Sequence, residues 1–246
     1  MVLVGGWVPE LLLPASHPPH TGSLDVDVLL DSSALTRARV QELIGELHAR
    51  HYRPTAKRFR FEKNIDLGDG GPSVVVGVDF LAPTGGVPDR DDRTQGGFRA
   101  FEVDGAPRAL SSRETVLWPV APEGGQGGAL DVVIPSVEAF IVMKAFALRS
   151  RVKPKDAYDV VFILKNWPGG PATVAARFGD PPREREVTEA MRVLAVWFAS
   201  PNHLGPRAYA GFFDPPDRDS AEVLARDAFE RVQALLRAVG FDEKGE

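Results

Sequence analysis

Hydrophobic and polar residues alternate in short blocks over the first half of the chain and recur at helical spacing over the second. Val2 to Val4 is a brief apolar run that ends at Gly5-Gly6, and Trp7 to Leu13 has the length for one or two helical turns before Pro14. After a proline-rich loop, "PASHPPHTG", Leu24 to Leu30 alternates: Leu24, Val26 and Val28 point one way and Asp25 and Asp27 the other, as the two-residue period of a strand requires. The next helix is expected to be capped by Ser32 or Ser33, with Leu35, Val40, Leu43, Ile44 and Leu47 on its apolar side and a loop near Tyr52 to Pro54 behind it. Arg58 to Glu62 alternates again, Phe59 and Phe61 inward and Arg58 and Arg60 outward, and Val74 to Phe80 follows as a further strand. Shorter strands are predicted at Phe98 to Val103, Thr115 to Trp118 and Leu130 to Ile134, between two glycine-rich loops, residues 83–97 and "PEGGQGG". From Pro135 onward the spacing is helical, with helices expected over 136–150, 155–166, 184–199 and 218–239.

Strands first and helices later is the pattern of an α+β protein. It predicts a small mixed sheet flanked by helices over residues 1–134 and a mainly helical region over 135–246. At 246 residues, 43% hydrophobic, the chain can bury a substantial core. Its net charge of -5 gives no overall attraction for nucleic acid, so any such binding must come from a local basic patch. The absence of cysteine excludes disulfides, thiolate metal sites and a cysteine nucleophile. No apolar run approaches the ~20 residues of a membrane helix, and the N-terminus lacks the basic region and cleavage site of a signal peptide, so a cytoplasmic protein is expected. The first strand is so short that the domain either starts abruptly or continues a helix lying upstream.

Candidate chemistry begins at Asp25 and Asp27. Two residues apart on a strand, they stand ~6–7 Å apart at Cα, close enough for both carboxylates to reach one or two divalent ions. Asp79 is the best third acid, sharing a strand face with Val75 and with Gly77, whose small size would leave room for a ligand. The plainer alternative is a solvated acidic face. Gly5-Gly6 between a strand and a helix offers bare backbone amides where phosphate is favoured. Further on, Val137 to Leu148 has ten apolar residues in twelve, with Lys144 in its middle; such a helix is buried nearly all round, so its ammonium needs an anion. Asp159 leans inward with Phe162 and Ile163, near Lys155 and Asp156, and pairing with Lys144 or Lys155 is its simplest reading. His48 to Lys63 concentrates positive charge, which reads either as an RNA-tracking patch or as a solvated helix end and strand. His17 and His20 lie three apart in the proline-rich loop, as metal ligands or as plain loop residues.

The string "LVGGW…GSLDVDVLLD" resembles the signature of the nucleotidyltransferase superfamily with the polymerase-beta-like fold, hG[GS] followed by Dh[DE]h on the next strand. The block "IPSVEAFIVMKAFALRSRVKPKDAYDVVFIL" resembles the AbiEii and MenT branch of that superfamily, toxin-like enzymes of type IV toxin–antitoxin systems, through Pro135, Glu138, Lys144, Arg149, Lys155, Asp156 and Asp159. Before the acid pair, Thr21 and Ser23 stand in the stretch where the branch often carries an arginine. The resemblance implies a nucleotidyltransferase fold and transfer of a nucleotidyl group from a nucleoside triphosphate to an acceptor hydroxyl on RNA or protein. It implies one or two Mg²⁺ ions on Asp25 and Asp27, and Gly5, Gly6 and Ser23 cradling the triphosphate. Asp79 would serve as base or third ligand, Lys144 would neutralise the phosphates, and Asp156 and Asp159 would support that contact from a helical region closing the nucleotide cleft. An antitoxin protein is the implied partner. A small-molecule nucleotidyltransferase of the aminoglycoside-modifying kind and a catalytically silent nucleotide binder remain the alternatives.

Overall fold

The computed structural model describes residues 1–31, 36–68, 71–85, 98–120, 127–151, 153–179 and 184–241. The expected caps Ser32 and Ser33, Leu35 and most of the two glycine-rich loops lie outside them. The chain forms two compact units, one of Met1–Val8 and Thr21–Pro135, the other of Pro9–His20 and Ser136–Glu246.

The first unit is built on a mixed sheet of β1 (Val2–Val4), β2 (Val26–Leu29), β3 (Arg53–Pro54), β4 (Arg60–Ile65), β5 (Val74–Pro83) and β6 (Phe101–Val103), with β7 (Arg113–Val120) and β8 (Gly128–Pro135) forming a separate antiparallel pair. The order is β1-β2-β5-β4-β3, with β2 parallel to β5 and β6 extending the sheet along β5 beyond the end of β4. The alternation read from the chain sorts the residues onto two faces. Val26, Val28, Phe61, Val78 and Phe80 face Leu43, Ile44 and Leu47 of α2 (Arg37–Ala49), and Phe80 meets the Phe61 and Phe98 rings edge-on at 5.9 and 5.4 Å. The opposite face carries Asp27, Asp79, Arg60, Glu62 and Gly77. Asp27 is registered with Asp79, Asp79 with Arg60, and Gly77 with Glu62, so these side chains project to one side. Past Asp27 that face turns apolar: Leu29, Val2 and Val4 are buried, and β1 packs against β8.

Several local expectations change. The second strand begins at Val26, because Leu24 is 66% exposed and leaves the alternation. Within the expected loop, Arg53–Pro54 pairs with β4 as an edge strand, and Thr36 is the cap of α2, its hydroxyl accepting from Arg39 N–H at 3.3 Å. Arg60 does not face solvent. A short helix, α3 (Ala106–Ser111), follows Gly105, whose φ of 79° turns the chain.

In the second unit, α1 (Val8–Leu12) contributes its later residues, followed by α4 (Val137–Ser150), α5 (Pro154–Asn166), α6 (Gly170–Ala176), α7 (Arg185–Trp197), α8 (Leu204–Phe212) and α9 (Arg218–Ala238). Helices α4 and α5 are buried on most of their circumference and form the centre, packing on each other and on α7 and α8. Neither α6 nor α8 was expected. Their Gly-Pro pairs read as breakers, but Pro171 and Pro206 sit in first turns, where a missing N–H costs no intrahelical bond. Gly205 is needed for packing: a Cβ there would lie 2.6 Å from the fully buried Phe198 ring.

Gly to Ala inside a helix ordinarily stabilises by about 1 kcal/mol. For Gly205→Ala the sign should reverse, because the ring has no space to retreat, and a loss of roughly 1–3 kcal/mol is expected. Urea unfolding of the variant beside the wild type measures it.

Candidate active site

On the polar face of the first unit, Asp25, Asp79 and Glu62 converge on Arg60. The guanidinium donates to both oxygens of Asp25, Nη2 to Oδ1 at 2.8 Å and Nη1 to Oδ2 at 3.2 Å. Nη1 also donates to both Asp79 oxygens at 3.1 Å, and Nε donates to Glu62 at 2.6 Å. These bonds require little side-chain reach, because Arg60 and Asp79 are registered neighbours across β4 and β5. The space left by Gly77 is filled by this pair: a Cβ there would lie 2.5 Å from Arg60 Nη2 and 2.6 Å from Asp25 Oδ1. Burial raises the Asp79 carboxyl above its usual range; the Arg60 charge opposes this, and the Asp25 charge adds to it. The carboxylates in turn hold Arg60 firmly protonated, the hydrogen bonds to Asp25 and Glu62 foremost.

Asp27 stands beside this group, level with Asp79, and its carboxylate lies against Gly5. Gly5 has φ of 78°, and a Cβ on it would fall 1.9 Å from Asp27 Oδ2, so glycine is required both by the turn and by the acid. Gly5–Trp7 forms a 3₁₀ turn with Gly6 buried inside it. Ser23 Oγ accepts from the Asp25 backbone N–H at 3.3 Å and shapes the approach to the acid pair. Gly5, Ser23, Asp25, Asp27 and Asp79 therefore gather at one end of one sheet face. No group of three or more His, Asp or Glu arranged to hold a metal is found among the described residues. The donor set nevertheless suits Mg²⁺, which takes hard oxygens and needs only one or two carboxylates beside substrate phosphate. Beside the face, Arg53, Lys57 and Arg58 are exposed, and Lys57 lies near enough to Asp79 to favour its charged form.

Lys144, Asp156 and Asp159 form a separate cluster inside the second unit. The Lys144 ammonium is 2.9 Å from Asp156 Oδ1 and 2.6 Å from Asp159 Oδ2, with all three side chains buried. Arg151 donates twice to Asp156, at 2.8 and 3.1 Å, and Lys155 donates to Asp159 at 2.8 Å. His20 Nε2 donates to Asp159 at 2.9 Å, and its ring stacks on Tyr158 and meets Phe162 edge-on. The anion that Lys144 needs is thus supplied by the chain itself. Burial works against both carboxylates, but it is outweighed by their partners together, Lys144 and Arg151 at Asp156 and Lys144, His20 and Lys155 at Asp159, which hold both below their usual range; burial likewise works against Lys144, and the two carboxylates raise it. Glu138 is buried, with Arg177 Nε 3.7 Å away, and Arg149 pairs with Glu189 at 3.0 Å.

Arg60 and Glu62 in the first cluster and His20 and Arg151 in the second escaped sequence reasoning. Arg60 is expected outward, on an RNA-tracking patch or a solvated face; the pairing of β4 with β5 puts it on the side of Asp79 instead. His20 reads in the sequence as a loop residue or a metal ligand, because the prolines around it give no sign of its buried contact with Asp159 far along the chain.

The second cluster has a pH signature. Asp156 and Asp159, depressed in the fold, contribute stability that is present above their unfolded value of 3.8 and is lost as pH falls below it. Lys144, raised in the fold, contributes below its unfolded value of 10.5 and loses that contribution as pH rises past it. Lys144→Met should cost about 3–5 kcal/mol at pH 7, the penalty for leaving buried carboxylates without their cation. The deficit should shrink towards pH 3 as the acids protonate, and denaturant melts of both proteins across pH 3–8 check it.

No helix among the described residues is long and apolar enough to cross a membrane. Comparison with curated proteins finds no match. A family model described as "Nucleotidyl transferase AbiEii toxin, Type IV TA system" matches residues 18–236, a span that contains the acid face of the sheet and the lysine–carboxylate cluster. The α+β architecture agrees with it, and the chain belongs to the AbiEii family of nucleotidyl transferase toxins of type IV toxin–antitoxin systems.

Proposed function

We propose that this protein moves a nucleoside monophosphate from a nucleoside triphosphate to an acceptor hydroxyl on RNA or protein, in the cytoplasm, with Mg²⁺ on Asp25 and Asp27 and an antitoxin protein as its opponent. The gathering of Asp25, Asp27 and Asp79 on one sheet face, beside a glycine turn that makes room for Asp27, carries this reading. Bound to the acid pair, one or two Mg²⁺ ions supply neutralisation of the triphosphate and of the charge that develops during transfer. The backbone amides of the Gly5–Gly6 turn and the Ser23 hydroxyl are assigned to the phosphate oxygens, as hydrogen-bond donors suited to that charge. Asp79 takes the proton of the acceptor hydroxyl, a task that its raised proton affinity favours. The acceptor oxygen then bonds to the α-phosphorus as the α–β phosphoanhydride bond breaks, and pyrophosphate leaves with the electron pair.

The role of the lysine cluster narrows in this reading. The charge of Lys144 is already balanced by Asp156 and Asp159, so it joins α4 to α5 and keeps the two acids ionised. Lys155 and Arg151, 31% and 49% exposed, are the cations at its rim, and they add to the charge that holds Asp159 and Asp156 ionised.

Each labelled triphosphate, with Mg²⁺ and total RNA or cell protein, should label a macromolecular acceptor, and Asp25→Asn with Asp27→Asn should lower transfer on the order of a thousandfold. Unimpaired transfer by the double variant would refute the site. Label confined to a small hydroxylated compound would establish the aminoglycoside-type alternative, and nucleotide binding with no transfer to any acceptor would establish the silent binder.

A further inference from the structure

Arg60 occupies the oxygens on which the proposed function depends. Its fork takes both oxygens of Asp25, one of the two residues assigned to the metal, and both oxygens of Asp79. The side chain is 17% exposed, and its flat fit is secured from below by Gly77, where a Cβ would collide with both the guanidinium and Asp25. Nε remains bonded to Glu62, which is two residues along the same strand and 38% exposed, so Arg60 has a second anchor that does not involve Asp25.

Resting on the reading that Asp25 and Asp27 hold the divalent ion, we propose that Arg60 is a resident counter-cation that competes with that ion for Asp25. A carboxylate gripped bidentately by a guanidinium has its favoured lone pairs engaged, and a cation entering there must detach the fork. Once detached, the fork stays tethered through Glu62 and presents two parallel N–H donors, a geometry that matches a phosphate oxygen pair. Entry of the ion and exposure of a phosphate-binding fork are then one event. The ion alone binds weakly, and the triphosphate tightens it by giving Arg60 a new partner. The acids stay neutralised meanwhile, so the face is held together at every stage.

Titration calorimetry of the full chain with Mn²⁺, without nucleotide, tests this for the wild type, Arg60→Gln, Gly77→Ala and Asp25→Asn/Asp27→Asn. Arg60→Gln should bind Mn²⁺ about tenfold more tightly. Gly77→Ala keeps every charge but pushes the fork and the Asp25 carboxylate apart, since its Cβ crowds both, and should bind about threefold more tightly. Should Arg60→Gln fail to fold by circular dichroism, Gly77→Ala decides alone, since Gly77 does not occupy a left-handed conformation. Wild-type or weaker affinity in both variants overturns the competition, and a gain in Arg60→Gln with none in Gly77→Ala overturns it too, reducing Arg60 to a background charge. Binding that survives in the double aspartate variant would instead show that the metal reading itself is wrong.

Discussion

Four carboxylates on one face of a small sheet repel one another, and the first unit is organised around containing that repulsion. Unit charges on neighbouring strands, ~5 Å apart, repel by roughly 3 kcal/mol at an effective dielectric of 20. Asp25, Asp27, Asp79 and Glu62 would drive β2, β4 and β5 apart if nothing stood among them. Arg60 stands among them with its charge shared over three of the four. Its place depends on the register that sets it opposite Asp79, and that register is pinned by the other face, where Phe61, Val78 and Phe80 must meet α2. A slip of one residue would bury the acids and expose the phenylalanines. The two glycines complete the arrangement by absence of atoms, Gly77 beneath the guanidinium and Gly5 beside Asp27.

The helical unit meets the same physics with the signs exchanged. There a single ammonium is the buried charge, and two aspartates one helical turn apart are its answer. An ion cluster of this kind specifies arrangement more than it adds stability, because desolvation consumes much of the attraction. What it specifies is the pairing of α4 with α5 and, through His20, the attachment of the proline-rich segment to Asp159. Tyr158 and Phe162 shield that contact from water, which keeps the hydrogen bond strong.

Val26 to Leu29 was legible because Asp25 and Asp27 alternate with apolar residues, and Val74 to Phe80 because a run of β-branched residues follows a turn-prone stretch. The long helices were legible from apolar residues recurring at a period of 3.6. Parity put Asp25 with Asp27, and Asp79 with Val75 and Gly77, and family resemblance named their chemistry; that the two groups share one side follows from the pairing of β2 with β5. What escaped was contact between distant segments. Nothing local to Arg60 says that Asp25 lies beside it, and nothing local to His20 points to Asp159. Gly77 shows how such misses propagate: its smallness was correctly noticed, but the room it leaves belongs to Arg60. Short helices opened by Gly-Pro were hidden as well, since local punctuation is identical in a turn and in a first helical turn.

The family assignment gives the reaction class, and the acid face gives that reaction its place in the proposed mechanism. The most direct measurement is anomalous diffraction from crystals of the protein grown with Mn²⁺ and a non-hydrolysable nucleoside triphosphate. Anomalous density bonded to the carboxylates of Asp25 and Asp27, with triphosphate oxygens completing the ion's shell, is the predicted result. An ion and triphosphate bound away from that face, with Arg60 still closed on Asp25, would contradict it.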